Sequence, residues 1–199
     1  MKVLAAYPSA TESRTLSDGV LCWPDSATVK SGKPVFIPDC HDSCIFAALG
    51  VKVKAVGKSI KSRFAPRYYN DVLPLAFIIN SFNAEKIKSG LFPAANNLVA
   101  DYSVICGDSI NADSLREYVT IGTELLPLVA MGSEEKRIKI SKHCRIDLIN
   151  EAICAASRDN TLKTGDFVAF IFPEYFQASR NTLLKISLNG QTLIENKLK

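Results

Sequence analysis

The stretch Asp39-Cys40-His41-Asp42-Ser43-Cys44 concentrates potential metal ligands and nucleophiles more densely than any other part of the chain. Two chemistries are open to it. Cys40, His41 and Cys44 would begin a zinc site that His143 and Cys144 complete, because thiolate and imidazole are the ligands zinc favours. The spacing fits no standard zinc pattern, and the two halves stand far apart in sequence. The preferred reading is therefore a polar loop ahead of a strand, with Cys44 buried. Alternatively, Cys44 or Cys40 pairs with His41 or His143 as nucleophile and base. Adjacent residues of an extended segment point to opposite sides, which would keep Cys40 away from His41.

The elements that must position these groups are short and mostly strands. Apolar runs broken by turn signals predict strands at Val3–Tyr7, Val20–Trp23, Pro34–Ile37, Leu49–Val56, Leu73–Ile79, Tyr102–Cys106, Phe167–Phe172, Thr182–Leu188 and Thr192–Lys197. Asn189-Gly190 suits the turn of a C-terminal hairpin, since Asn and Gly tolerate positive φ. Helices are few. Asp147 is placed to cap one that runs to Ala156, with shorter ones expected over Arg63–Asn70 and Ala84–Ser89. Asn111–Arg137 reads least clearly, with either a helical turn at Ala112–Tyr118 or a ladder strand at Glu117–Gly122. The class is α+β, mostly β.

The 199 residues suffice for one domain spanning residues 1–199. The net charge of +4 is spread without a basic stripe, which argues against a nucleic-acid partner. No run approaches the roughly 18 apolar residues of a membrane span, and the apolar start of the chain is too short for a signal-peptide core. These features predict a cytoplasmic protein with no membrane partner. The six cysteines are then read as free thiols, several of them small buried hydrophobes.

Several stretches, in order, resemble the fumarylacetoacetate hydrolase family. Pro24-Asp25-Ser26-Ala27 and Gly32-Lys33-Pro34-Val35-Phe36-Ile37-Pro38-Asp39 look like the approach to the family's first metal-binding strand. Val56-Gly57-Lys58-Ser59-Ile60 is similar to the segment just past that strand, and Thr161-Leu162-Lys163-Thr164-Gly165-Asp166 to the turn into a late active-site strand. The resemblance implies a mixed β-sandwich roll with a few short helices, usually dimeric. It also implies carbon–carbon bond hydrolysis or isomerisation of small oxo-acids with Mg²⁺ or Mn²⁺, a hard cation that needs oxygen ligands.

Against that pattern the chain departs at the metal. The family's His-x-Glu-x-Glu corresponds to Cys44-Ile45-Phe46-Ala47-Ala48, and the third carboxylate position falls at Ala76. A Lys-x-Phe-Asp motif appears as Leu98-Val99-Ala100-Asp101, and a Thr-Gly-Thr-Pro loop as Phe170-Ile171-Phe172-Pro173. The resemblance thus predicts a former pocket lined by Phe46, Ala48, Ala76, Leu98, Phe172 and Pro173, with no metal ligand and no cofactor. Filling an abandoned cation site with apolar side chains avoids burying unpaired charge. The expectation is a pseudoenzyme that serves as scaffold or regulatory partner, as a homodimer or in a heterodimer with an active relative. Its alternative is a metal-independent hydrolase or isomerase of a small oxo-acid, of the acylpyruvate or 2-hydroxy-diene-dioate type, using Cys44, Asp101 or Glu174. A third possibility is a module that binds a small oxo-acid in an open remnant of the pocket.

Overall fold

A computed structural model describes residues 1–7, 19–37, 42–89, 91, 101–113, 128–131, 134–137, 146–188 and 191–199. The larger sheet is built from β1 (Lys2–Ala6), β2 (Leu21–Pro24), β3 (Thr28–Lys30), β4 (Ser43–Lys52), β5 (Asp71–Asn80), β6 (Val104–Cys106), β7 (Ile110–Asn111) and β10 (Phe167–Gln177). Its order is β2-β1-β10-β4-β5-β6-β3, with β7 beside β5. A smaller sheet joins β8 (Leu128–Met131), β9 (Glu134–Arg137), β11 (Leu183–Leu188) and β12 (Gln191–Lys197) in the order β12-β11-β8-β9. The described residues include the α-helices α1 (Ser81–Lys88) and α2 (Ile146–Asp159), with 3-10 segments at Asp25–Ala27 and Ser62–Tyr68. The larger sheet is mixed: β1 runs parallel to β10 and β3 to β6, while β4 is antiparallel to both neighbours. Among the described residues no helix is long and apolar enough to cross a membrane.

Strand alternation divides the core in two. On one face of the larger sheet, Cys44, Phe46 and Ala48 of β4 lie with Leu73, Leu75, Phe77 and Ile79 of β5, and with Ala169 and Ile171 of β10. Trp23 packs there against Phe77 at 4.7 Å, and α1 adds Ala84 and Ile87. On the other face, Ile45, Ala47, Ala76, Val168 and Phe170 meet Ile149, Ala152, Ile153 and Ala156 of α2 and Leu184, Ile186, Leu193 and Ile194 of the smaller sheet. Each large side chain removed from water in this way contributes about 1.5–3 kcal/mol before entropy is counted. A central strand covered on both faces carries a nearly unbroken apolar run, as β4 and β5 do.

Several boundaries differ from the sequence expectation for physical reasons. β4 begins at Ser43 rather than Leu49, because burial on both faces removes the alternation that marks a half-buried strand. Pro34–Ile37 forms only a single bridge, Val35 to Leu198. β5 tolerates Pro74 in its middle: the Pro74 carbonyl accepts from Gly107, so its nitrogen faces the same side, in the gap between β6 and β7. β10 continues through Pro173 to Gln177 by a bulge, with Ile171 opposite Ala48 and Tyr175 opposite Phe46. α1 starts three residues early, because the Asn80 side chain accepts from the Asn83 amide and caps it. Arg63–Asn70 is realised as a 3-10 segment with Pro66 inside. Asp147 stands in the first turn of α2 and there complements the helix dipole. Ala112 follows β7 in helical conformation, while the continuation to Tyr118 and the alternative strand at Glu117–Gly122 lie outside the described residues.

Candidate functional site

The Cys44 end of the first face carries a polar cluster above an apolar floor. The Cys44 thiol lies 3.7 Å from Gln177 Oε1, its register partner across β10. The Tyr175 hydroxyl donates to Glu85 Oε1 on α1. The Tyr175 ring lies 5.3 Å from Phe46, and Lys88 Nζ stands 5.5 Å from that ring's centre. The bulge makes this grouping possible. Without its two extra residues, Tyr175 and Gln177 would not stand opposite Phe46 and Cys44.

Electrostatics keep the Cys44 thiol and the Tyr175 hydroxyl neutral. Burial pushes the Cys44 thiol up from 9.0 to about 11, with the charges of Glu85 and Asp42 adding to the effect. The hydrogen bond to Glu85 is the main cause that raises Tyr175 to about 12. At neutral pH the cluster therefore offers an S–H and a phenolic O–H rather than a thiolate or a phenolate. A thiol held protonated is a poor nucleophile.

Not all the positions singled out in the sequence come together. Phe46 and Ala48 share the first face, fully buried, with Cys44. Ala76 pairs with Ala47 and lies on the opposite face, as do Phe170 and Phe172, whose rings meet edge to face at 5.7 Å. The physical reason is the period of two: from Phe46 and Ala48 the facing residues on β5 are Phe77 and Leu75, one position either side of Ala76. A single pocket lined by Phe46, Ala48, Ala76 and Phe172 is therefore not formed. Glu174 and Asp101 are exposed, Glu174 at the β10 bulge and Asp101 ahead of β6. Pro173 lies within the same bulge. Cys40, His41, Leu98, His143 and Cys144 fall outside the described residues, and with them the zinc and Cys/His arrangements.

The grouping of Tyr175, Gln177, Glu85 and Lys88 around Cys44 has no clear signature in the sequence. Alternation of Tyr175 with Gln177 is a faint signal, but the bulge that sets their register has none. A magnesium or manganese ion does not fit the Phe46–Ala48 positions. Their cross-strand neighbours Phe77, Leu75 and Ile171 carry no oxygen donor, and the Tyr175 hydroxyl is committed to Glu85. Among the described residues no group of three or more His, Cys, Asp or Glu side chains is placed to hold a metal ion.

No family model matches the chain, and no curated protein does. Solved structures do. A fumarylacetoacetate hydrolase family protein from Yersinia pestis CO92 superposes with a TM-score of 0.78 at 19% identity, covering 100% of this chain and 92% of the other. Fumarylpyruvate hydrolase from Pseudomonas aeruginosa, in complex with Mn²⁺ and pyruvate, gives 0.74 at 15%, covering 100% and 90%. The 5-carboxymethyl-2-hydroxymuconate delta-isomerase from Mycobacterium smegmatis gives 0.72 at 15%, covering 99% and 78%. At these identities the likeness speaks for the fold, and it agrees with the resemblance found in the sequence. The chain has the fold of the fumarylacetoacetate hydrolase proteins, strongly diverged in sequence.

Proposed function

We propose that this protein keeps the fumarylacetoacetate hydrolase fold without metal-dependent catalysis, and serves as a scaffold or regulatory partner through a dimer with itself or with an active relative. One observation carries the reading. The positions where the resemblance calls for two carboxylates are Phe46 and Ala48, buried and faced by Phe77 and Leu75 on β5 and by the Tyr175 ring and Ile171 on β10. Rebuilding a cation site there would require charge in an apolar cluster, at a cost of several kcal/mol per ion.

A second reading has its own support. Cys44, Gln177, Tyr175 and Glu85 form a compact polar group beside that cluster, which suits metal-independent hydrolysis or isomerisation of a small oxo-acid. An acylpyruvate assay separates the two. The first reading expects no turnover with Mg²⁺ or with excess chelator. Turnover in chelator that disappears in Cys44→Ala, Asp101→Asn or Glu174→Gln would establish the second. Turnover that requires Mg²⁺ would contradict both.

A further inference from the structure

The first face is filled at its Cys44 end and opens at the other. Counting along β4 from Phe46 to Lys52, the opposite end lies roughly 20 Å away at ~3.3 Å per residue. A cavity of about 580 Å³ lies there. That volume falls within the roughly 300–1,000 Å³ of small-molecule sites.

Its lining is set by register. Leu73, Cys106 and Phe167 continue the apolar face and form the floor. One step further along the same face, β4 presents Lys52 and β5 presents Asp71, two residues beyond Gly50 and before Leu73. Lys30 stands on β3 opposite Cys106, and Asp108 follows on the turn after β6. That turn is held by close packing: a Cβ on Gly107 would lie 2.7 Å from both Ile194 and Pro74. Burial pushes the Cys106 thiol to about 11, so it stays neutral and belongs to the floor. Among the described residues, no ion pair or hydrogen bond engages the side chains of Lys30, Lys52, Asp71 or Asp108; the Lys30 carbonyl accepts from the Asn196 amide.

We propose that this cavity binds a small zwitterion with an apolar body, of the amino-acid class. Two lysines and two aspartates, with Met1 beside them, give a lining that carries both signs of charge above an apolar floor. A carboxylate is held by Lys30 and Lys52, an ammonium by Asp71 and Asp108, and the apolar body rests on Leu73 and Phe167. A simple carboxylate would leave both aspartates facing like charge, and a simple amine would do the same to the lysines. The strands fix the backbone positions of Lys30, Lys52 and Asp71, while the exposed side chains are ordered on binding at a cost that limits the affinity.

Calorimetry on the full chain tests the proposal with L-leucine and L-phenylalanine as probes, and 4-methylpentanoate and 3-methylbutylamine as single-charge controls. The expected result is saturable one-to-one binding of at least one amino acid, with both controls weaker by about tenfold or more. Lys52→Gln and Asp71→Asn should each weaken that binding by a similar factor at unchanged melting temperature. Both side chains are exposed, and Lys30→Gln gives an independent third variant. Absence of saturable binding by both amino acids overturns the proposal. So does a control that binds as tightly as the amino acid, or affinity indifferent to all three substitutions. The outcome is separate from metal binding at the far end of the face.

Discussion

A phenylalanine at position 46, flanked across the sheet by Phe77 and Tyr175, sets the chemistry of the inner half of β4. Its ring is fully buried on the face that carries Trp23, Phe77 and α1, so truncation leaves a cavity in that apolar cluster. Phe46→Ala should cost about 3–5 kcal/mol, read as a lower urea midpoint. Cys44 beside it makes a second prediction through its proton. Its folded value of about 11 lies above the ordinary 9.0, so in that window the folded protein holds a proton the unfolded chain has lost. The contribution is intact below pH 9 and falls as pH rises towards 11. The stability difference between wild type and Cys44→Ala should therefore shrink over that interval, and a flat difference would contradict the assignment. That Phe46 and Ala48 offer no ligand to a cation is legible in the sequence, because residue type alone decides it. The separation of Ala76 from them is not, since a one-residue choice of register decides which face a strand residue takes.

At the scale of elements, close strand packing and one bulge shape the site. Gly50 lies in β4 where a Cβ would stand 2.6 Å from Leu75 Cδ1 and 2.7 Å from the Val168 carbonyl oxygen. The carbonyl cannot rotate away, so Gly50→Val should destabilise the protein by about 1–3 kcal/mol, measured by denaturant titration. The β10 bulge turns Tyr175 towards α1, where Glu85 and Lys88 meet it. Tyr175→Phe keeps the ring packing and removes the hydroxyl. Amide exchange in α1 should then rise while that of the central strands stays unchanged, because the lost contact ties only the helix to the sheet. Most strands could be placed from sequence by their apolar runs. Those buried on both faces lost their alternation, and the strand through Pro173 was cut short because a proline signals an end unless a bulge absorbs it.

For the molecule as a whole, the fold is kept while the sequence has diverged. Superposition over essentially the full chain at 15–19% identity shows how far a sequence drifts while its fold is kept. The order of short stretches around Gly32–Ile37, Val56–Ile60 and Thr161–Asp166 preserved enough local turn chemistry to make the architecture legible in the sequence. The fold itself does not confer the chemistry, which depends on the residues at a few inward positions of β4, β5 and β10. The most direct measurement is a calorimetric titration of Mg²⁺ and Mn²⁺ into metal-stripped protein, with oxalate present as a mimic of an oxo-acid. Apolar side chains at positions 46 and 48 predict no saturable heat for either ion. One-to-one binding of either ion, competed by chelator, would contradict the proposed loss of the metal site.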